Sequence, residues 1–165
     1  MQWRWCDTLR GVNVRTAAFA DLDPLTAYAI WRLRVDVFVV EQECAYPELD
    51  GRDAEPTTQH WWVPGDADGE APVAAYLRVL ATPDPHEARI GRVVTAPAHR
   101  GRGLAATLMR DTLGALRETG VRSVVLDAQS HLSDWYAALG FDIVGPEFLE
   151  DGIPHVPMRQ ELAAP

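Results

Sequence analysis

The sequence predicts an α/β (α+β) fold in which helices accompany one sheet of mixed strand directions. The first observation is the order of its elements: a strand, a helix, three strands, a helix, a strand, a helix and two strands. The second is size, because 165 residues with 47% apolar side chains are enough for one ordinary hydrophobic core. Disorder over the whole chain is therefore not expected.

The first half of the chain predicts one helix and three strands. The helix begins at Asp23-Pro24, which combines a capping oxygen with a proline in the first turn, and apolar residues then recur at helical spacing. Trp61 and Trp62 alternate across a strand, so one of them is expected to face the core. The elements are a strand at 12–19, the helix at about 24–40, a loop at 43–57 and strands at 58–63 and 71–81.

The second half predicts two helices, each ended by a glycine. Leu104 opens an apolar helical face that ends at Gly120, and the shorter helix in SHLSDWYAAL ends at Gly140. Strands rich in β-branched or apolar residues surround these helices. They are expected at 88–95, 123–128, 141–145 and 155–162.

Charge and composition narrow the classes of partner. The net charge of −9, from 15 Lys+Arg against 24 Asp+Glu, argues against broad contact with nucleic acid or anionic membranes and mildly favours a cationic partner such as an amine. No apolar run reaches about 18 residues, and the N-terminus lacks a signal-peptide core, so no membrane span is expected. Cys6 and Cys44 form no CxxC pair and do not fall at zinc spacing, so a cytoplasmic protein without a metal is expected.

The stretch RVVTAPAHRGRGLAATLM at 92–109 places a small basic loop between a strand and a helix. Gly101, Gly103 and Ala106 fit the GxGxxA dinucleotide fingerprint, and the next strand carries Asp127 where a ribose partner would stand. Three features weaken this interpretation. The segment APAHR separates the strand from the first glycine, several strands precede the motif, and too little chain follows for two mononucleotide halves.

The alternative for this loop is a diphosphate clamp with the pattern Arg100-x-x-Gly103-x-Ala105. The first turn of a helix leaves several N–H groups unpaired, and glycine lets a ligand approach the backbone. The helix dipole adds about 0.3–1 kcal/mol for an anion at this end, and Arg100 and Arg102 can form charge-assisted bonds to phosphate. A surface loop that uses glycine for turning and arginine for solubility is the ordinary explanation of the same residues.

The segment DAQSHLSDWYAALGF, which follows the next strand, resembles the second half of the GNAT acetyltransferase superfamily. In this resemblance Tyr136, five residues before Phe141, occupies the position where many members carry a general acid. Gln129 stands where an asparagine is common in the family. The alternative for Tyr136 is a core aromatic on an amphipathic helix.

Four segments in order resemble the ElaA-like branch of this superfamily. They are LRVDVFVVEQECAYPELDGRD (33–53), IGRVVTAPAHRGRGLAATLM (90–109), LDAQSHLSDWYAALGF (126–141) and EDGIPHVPM (150–158). Residues 1–10 lie outside the resemblance, which suggests an N-terminal extension before a single domain at 11–165. The resemblance implies the GNAT fold, a mixed and mostly antiparallel sheet that splays between its fourth and fifth strands, with helices on both faces.

The same resemblance implies acetyl-CoA as the co-substrate and Tyr136 as the catalytic residue. The pantetheine arm is expected in the cleft between the strands at 88–95 and 123–128, where it would pair with backbone groups. The residues expected to bind the cofactor are Val93, Val94, Thr95, Arg100, Gly101, Arg102, Gly103, Leu104, Ala105 and Gln129.

The expected reaction moves the acetyl group from the thioester to an amine of a small molecule or peptide, which the resemblance does not identify. An amine with a pKa near 10.4 must lose its proton, at a cost of about 4–5 kcal/mol at pH 7. Tyr136 is a weaker acid than a thiol, so it is expected to donate a strong hydrogen bond as the thiolate forms, or to transfer its proton late. Glu41, His60 and His155 are the acceptor-side candidates, although each also fits a solvated turn or a packed strand.

Other classes of function stay open from the sequence. A catalytically silent acyl-CoA-binding module would keep the cofactor residues without acyl transfer, and a dinucleotide enzyme is a further alternative. LRVDVFVVEQ is also faintly similar to acyl-homoserine-lactone synthases, although the later ElaA-like motifs argue against that activity. A homodimer is a further option, for which Trp3 and Trp5 are candidate contact residues.

Overall fold

The computed structural model describes residues 12–66 and 71–163, so the expected N-terminal extension at 1–10, with Trp3, Trp5 and Cys6, lies outside the described residues. The strands are β1 (Arg15–Ala18), β2 (Gln59–Pro64), β3 (Val73–Ala81), β4 (Glu87–Thr95), β5 (Ser123–Gln129), β6 (Asp142–Ile143), β7 (Phe148–Glu150) and β8 (Ile153–Glu161). The α-helices are α1 (Pro24–Arg34), α2 (Leu104–Glu118) and α3 (Ser133–Ala137), and α1 continues as a π-helix over Val35–Glu41.

The strands of the described residues form one eight-stranded sheet in the order β1-β2-β3-β4-β5-β8-β6, with β7 paired to β8. The pair β4–β5 is parallel, and the other neighbours are antiparallel. The parallel pairing is short, because it joins only Glu87–Arg89 to Ser123–Val125. Beyond these residues β4 and β5 separate, which confirms the predicted splay between the fourth and fifth strands.

Helices cover both faces of this sheet. On one face α1 contributes Ile30 to a hydrophobic cluster with Trp62, and on the other α2 contributes Leu108 to a cluster with Trp61. The expectation that one of the two tryptophans faces the core is too narrow, because both are buried. In the part of the chain that the structure describes, no helix has the length and apolarity needed to cross a membrane.

The helix predicted at 24–40 is confirmed in extent, but its second half is a π-helix. Asp23 Oδ1 accepts hydrogen bonds from the backbone N–H groups of Leu25 (3.1 Å) and Thr26 (3.0 Å), and Pro24 occupies the first turn. The wider turns of Val35–Glu41 are a geometry that proteins often use at functional sites. Apolar spacing alone does not predict them, since it marks the buried face and not the hydrogen-bond pattern.

The C-terminal region departs most from the predicted elements. A 3₁₀ turn precedes α3, which is shorter than predicted, and the strand expected at 141–145 covers only Asp142–Ile143. The β7–β8 hairpin is missing from the prediction. Its turn is Asp151-Gly152, with φ of 49° and 81°. An Asp-Gly pair is a strong local signal for such a two-residue turn, so the sequence did contain the information.

Candidate active site

A cleft of about 790 Å³ opens where β4 and β5 separate. Most of the predicted site residues line it, namely Glu41, Val93, Val94, Thr95, Arg100, Ala105, Gln129, Tyr136 and His155. The predicted loop residues Gly101, Arg102, Gly103 and Leu104 connect Arg100 to Ala105. His60 is absent from the cleft wall. Residues far apart in the sequence therefore meet at one place, as a site between two substrates requires.

The cleft edge of β4 is an open strand edge. Pairing with β5 ends at Arg89, so Val93–Thr95 pair with β3 alone. The carbonyl of Thr95 also accepts a hydrogen bond from Arg100 Nε at 3.3 Å. The main-chain groups of Val93–Thr95 that point away from β3 can therefore pair with a ligand that carries amides, as an added strand does.

The loop before α2 presents backbone N–H groups at a helix N-terminus. Gly101 and Gly103 adopt φ of 75° and 72°, a region that costs residues with a Cβ about 1–2 kcal/mol. No side chain caps the helix, so the first-turn N–H groups of Leu104 and Ala105 are left for a ligand or solvent. The backbone at both glycines faces open space. This geometry suits an anion such as a diphosphate.

Arg100 is held by a carboxylate from the end of the π-helix. Its Nη1 and Nη2 each donate to Glu41 at 2.9 Å, a bidentate and partly exposed ion pair. The hydrogen bond from Arg100 lowers the pKa of Glu41, so this carboxylate is a poor base. The structure thus pairs Glu41 with the loop before α2, a contact that does not favour the acceptor-side role expected from the sequence. Spacing along the chain could not show this pairing.

Tyr136 lies on α3 with its ring packed edge-to-face against Trp135 and Phe141. It is 7% exposed and lines the cleft. Burial raises the pKa of Tyr136, so the hydroxyl keeps its proton at neutral pH. No described residue forms a hydrogen bond with this hydroxyl. Tyr136 can therefore offer its proton to a ligand in the cleft.

The segment Glu41–Cys44 connects the walls of the cleft. Beside the Glu41–Arg100 pair, Gln129 Nε2 donates to Gln42 Oε1 at 3.2 Å. The buried thiol of Cys44 donates to the carbonyl of Asp151 at 3.4 Å. The end of the π-helix thus contacts the loop before α2, the end of β5 and the β7–β8 turn. Gln129 lines the cleft, although its Nε2 already donates a hydrogen bond to Gln42.

Comparison with known proteins supports this geometry. Residues 66–162 match the family model of the acetyltransferase (GNAT) domain. This chain belongs to the GNAT acetyltransferase family. It is 46% identical over 140 residues to a UPF0039 protein of Mycobacterium tuberculosis, covering 84% of this chain and 86% of that one. GNAT membership supports acyl-CoA-dependent acyltransferase activity in general, and it confirms the family predicted from the motifs.

Two crystal structures are similar to this GNAT chain over nearly their whole length. One is Escherichia coli ElaA, with a TM-score of 0.80 and 33% identity, covering 92% of this chain and 100% of that chain. The other is an acyl-CoA N-acyltransferase from Pseudomonas aeruginosa, with a TM-score of 0.79 and 39% identity, covering 91% and 99%. The similarity to ElaA confirms the predicted ElaA-like branch.

His155 is the acceptor-side candidate that the GNAT cleft retains. Its Nδ1 lies 2.8 Å from the carbonyl of Ile153, which can only accept, so Nδ1 carries the proton. The other ring nitrogen, Nε2, lies 3.8 Å from Glu150 Oε2. The ring stacks on Phe148 and lines the cleft. His155 therefore lines the cleft with its Nδ1 held by the carbonyl of Ile153.

His60 is removed from the acceptor-side candidates by its surroundings. It is fully buried, with Nδ1 2.8 Å from Tyr76 Oη and Nε2 3.0 Å from the carbonyl of Asp53. Burial lowers the pKa of His60, so the ring is neutral. Both nitrogens are occupied and no surface is exposed, so His60 has no access to a substrate. The prediction of His60 as an acceptor-side residue is therefore wrong, because both ring nitrogens of this buried histidine are hydrogen-bonded within the protein.

Sequence reasoning missed a cluster of arginines and carboxylates under the cleft. We call it the charge cluster, and its members are Arg34, Glu48, Asp50, Asp53, Arg78 and Arg92. Its carboxylates come from the segment predicted as a loop, whereas its arginines come from α1, β3 and β4. No group of three or more His, Cys, Asp or Glu among residues 12–66 and 71–163 is arranged to hold a metal. The segment ELDGRD was the one indication of the cluster in the sequence, but its acidic composition is equally typical of a solvent-exposed loop.

Two arginines of the charge cluster, Arg34 and Arg78, are tightly paired. Arg34 Nε lies 2.6 Å from Glu48 Oε1 and its Nη1 lies 2.7 Å from Asp53 Oδ1. Arg78 donates from Nη1 and Nη2 to Asp50 at 2.8 and 2.7 Å. Hydrogen bonding to Arg78 lowers the pKa of Asp50 more than burial raises it. The cluster therefore fixes the segment 48–53 against the sheet and forms the floor of the cleft.

Proposed function

We propose that the protein is an acyl-CoA-dependent N-acyltransferase that moves an acetyl group from acetyl-CoA to a primary amine by direct attack in a ternary complex. The observation that carries the proposal is one cleft with an uncapped helix N-terminus near one wall, an open strand edge along it and a protonated buried tyrosine facing it. The helix N-terminus suits a diphosphate, the open strand edge suits an arm that carries amides, and the tyrosine suits a leaving thiolate.

Acetyl-CoA would be held largely by main-chain groups. The N–H groups of residues 101–105 and the side chains of Arg100 and Arg102 suit the diphosphate. The open edge at Val93–Thr95 suits the pantetheine amides, because each backbone group there lacks a partner in β5. Gln129 is the residue at the end of β5 that would face this arm across the cleft.

The chemical step needs a neutral amine and a stabilised thiolate. His155 Nε2 would take the proton of the amine, whose nitrogen then bonds to the thioester carbon as the carbon–sulfur bond breaks. Tyr136 would donate a hydrogen bond to the departing sulfur. Full proton transfer is uphill by about 2 kcal/mol for an ordinary phenol and thiol, and the raised pKa of Tyr136 increases this cost. Holding both substrates in one cleft supplies a further large share of the acceleration.

Acyl transfer is tested with the purified protein, acetyl-CoA and a panel of amines. Amine-dependent release of CoA is expected, together with an N-acetyl product seen by mass spectrometry. The chain contains no lysine, so acetylation of its own lysine side chains cannot imitate the product. In a pH profile of kcat/KM, the acidic limb should weaken in His155→Gln if Nε2 is the base.

The outcomes of this assay separate the competing functions. Acetyl-CoA binding without any amine-dependent release would contradict the proposal and favour a silent acyl-CoA-binding module. A thermal-shift comparison of acetyl-CoA with NAD(P) tests the dinucleotide alternative, because only a ligand of the native state raises the melting temperature.

Removing the carboxylate that holds Arg100 should strengthen CoA binding. In Glu41→Gln the diphosphate no longer competes with a bidentate anion, and we expect the Kd for CoA to fall about two- to five-fold, the range for an exposed ion pair. Isothermal titration calorimetry at low and high salt measures this. Glu43→Gln removes the same charge two residues away and is the matched control. Weaker CoA binding in Glu41→Gln would show that Glu41 assists the cofactor.

A further inference from the structure

We propose that Arg92 binds a carboxylate of the acceptor, so that the acetylated amine belongs to a molecule that also carries a carboxylate, such as an amino acid. This inference rests on the proposed function and specifies its substrate. It starts from one observation: Arg92 lines the cleft, and its buried Nε has no hydrogen-bond partner among the residues that the structure describes.

Arg92 occupies a strained position that aims its side chain. In the β3–β4 pairing, Tyr76 stands opposite Val94 but Arg78 stands opposite Gly91, so β4 carries a one-residue bulge at this point. Arg92 has φ of 56°, which costs a residue with a Cβ about 1–2 kcal/mol. A bulge re-aims one side chain relative to a regular strand. Strain retained at a cleft-lining residue is typical of a functional site.

The order of residues along β4 places Arg92 on the acceptor side. The diphosphate loop follows the C-terminal end of β4, and Val93–Thr95 would pair with the pantetheine arm. Arg92 precedes these residues, and a strand advances about 3.3 Å per residue. An acceptor bound beyond the thioester, on the side away from the diphosphate, would therefore lie next to Arg92.

Arg78 and Arg92 of the charge cluster both line the cleft with an unpartnered Nε, and Arg92 is the more exposed of the two. The side chains of Arg34 and Arg78 are 0% and 3% exposed and hydrogen-bonded to carboxylates, whereas that of Arg92 is 24% exposed. Arg92 Nε lies 2.7 Å from Glu48 Oε2, but at an angle that forms no hydrogen bond, and Nη2 is 3.7 Å from Asp50 Oδ2. Glu48 and Asp50 balance the charge of Arg92, but its Nε lacks a hydrogen-bond partner.

The orientation of Arg92 suits a planar anion. Its guanidinium carbon lies 5.8 Å from the centre of the Tyr46 ring, and the Tyr46 hydroxyl donates to Glu48 Oε2 at 2.5 Å. One face of the guanidinium is thus packed against an immobilised ring, which leaves its edge for a two-pronged contact with a carboxylate. Arginines and carboxylates are equal in number in the cluster, so an incoming carboxylate meets no net negative charge there.

The test compares each acceptor as a free acid and as its amide. The probes are α-, β- and γ-amino acids and the corresponding amino-acid amides, with acetyl-CoA and the full-length protein. The carboxylate raises the pKa of the neighbouring amine, so intrinsic reactivity favours the amide. We nevertheless expect kcat/KM to favour at least one free acid over its amide by about ten- to a hundred-fold, the effect of a charge-assisted bond.

The acid-to-amide ratio should disappear in Arg92→Gly. Glycine tolerates φ of 56°, so this variant removes the side chain while keeping the bulge, and Arg92→Lys should retain part of the preference. The ratio is internal to each variant, so a smaller folded fraction does not change it. Arg89→Met is the comparison variant, because Arg89 lies on the same strand and also lines the cleft, but is paired with Asp127 at 2.6 Å. It should keep the wild-type ratio.

Three results would overturn the inference. They are a wild-type enzyme that prefers amides or amines without a carboxylate, equal losses for acid and amide in Arg92→Gly, and a loss of preference in Arg89→Met. Lack of turnover with every amine would instead contradict the proposed function, and this inference with it. Binding of N-acetylglycine against N-acetylglycinamide to the CoA-bound protein, measured by calorimetry, checks Arg92 without any chemical step.

Discussion

Phenylalanine at position 136 is expected to lower kcat for acetyl transfer by about 10²- to 10³-fold, the usual contribution of a positioned proton donor. The Kd for acetyl-CoA should change by less than about two-fold, because one partly solvated hydrogen bond contributes little to binding. The ring contacts with Trp135 and Phe141 persist in Tyr136→Phe, so the fold should persist too. Steady-state kinetics at saturating substrate and calorimetry with acetyl-CoA separate the two effects.

The pH profile adds a second criterion for Tyr136. Burial raises its pKa above the ordinary value near 10, so ionisation of this phenol should not reduce kcat below about pH 10. Tyr28→Phe is the matched control, since Tyr28 is 67% exposed on α1. Full activity of Tyr136→Phe at saturating acetyl-CoA would contradict the role of Tyr136 as the donor to the leaving group.

Replacing Arg34 with methionine is expected to lower the free energy of unfolding by about 3–5 kcal/mol, the range for removing one partner of a buried ion pair. Arg34 has no exposed surface, and its loss leaves Glu48 and Asp53 buried with one cation fewer. The melting temperature should fall by about 6–20 °C for a chain of this size. Urea unfolding followed by circular dichroism measures the difference.

The effect of Arg34→Met should shrink as the pH falls. Burial raises the pKa of Asp53, but hydrogen bonding and charge from Arg34 and Arg78 outweigh it and hold the folded pKa below the unfolded value of 3.8. This contribution is complete at neutral pH and is lost as the pH falls through the folded pKa. Without Arg34 the pKa of Asp53 is less lowered, so Asp53 binds a proton at higher pH and the variant recovers part of the deficit on acidification.

An exposed ion pair provides the control for the Arg34 experiment. Arg159 lies on β8 and contacts Glu87 and Glu161, each at 2.6 Å, with 37% of its side chain exposed. Arg159→Met should cost less than about 1 kcal/mol, because solvent screens such pairs. Equal losses in Arg34→Met and Arg159→Met would contradict the claim that burial makes the charge cluster important.

The sequence predicted the frame of the site because its signals are local. The Asp23-Pro24 cap, the apolar face after Leu104 and the glycine-rich loop each depend on residues that are neighbours in the chain. The family resemblance added the one long-range statement, that the fourth and fifth strands separate, and the sheet confirms it. The roles of Tyr136 and of the cofactor residues remain predictions, now with a shared cleft to support them.

The sequence could not predict contacts that join distant segments. Glu48 and Asp53 lie in a segment whose Pro, Asp and Glu content is typical of a solvated loop, yet they are 3% and 5% exposed. Their arginine partners come from other elements, and no periodicity relates them. The contact of Glu41 could not be predicted for the same reason. Its residue type suggests a base, but its partner Arg100 lies 59 residues later in the chain.

The open edge of β4 has a consequence for how this family can diversify. The binding of a ligand to main-chain groups depends on the spacing of the peptide units and not on the identity of the side chains. If acetyl-CoA pairs with β4 as proposed, the side chains of Val93 and Val94 are constrained by the hydrophobic clusters in which they pack, and not by the cofactor. The other end of the cleft is lined by side chains that such pairing does not constrain, so the preference for an acceptor would be free to change there.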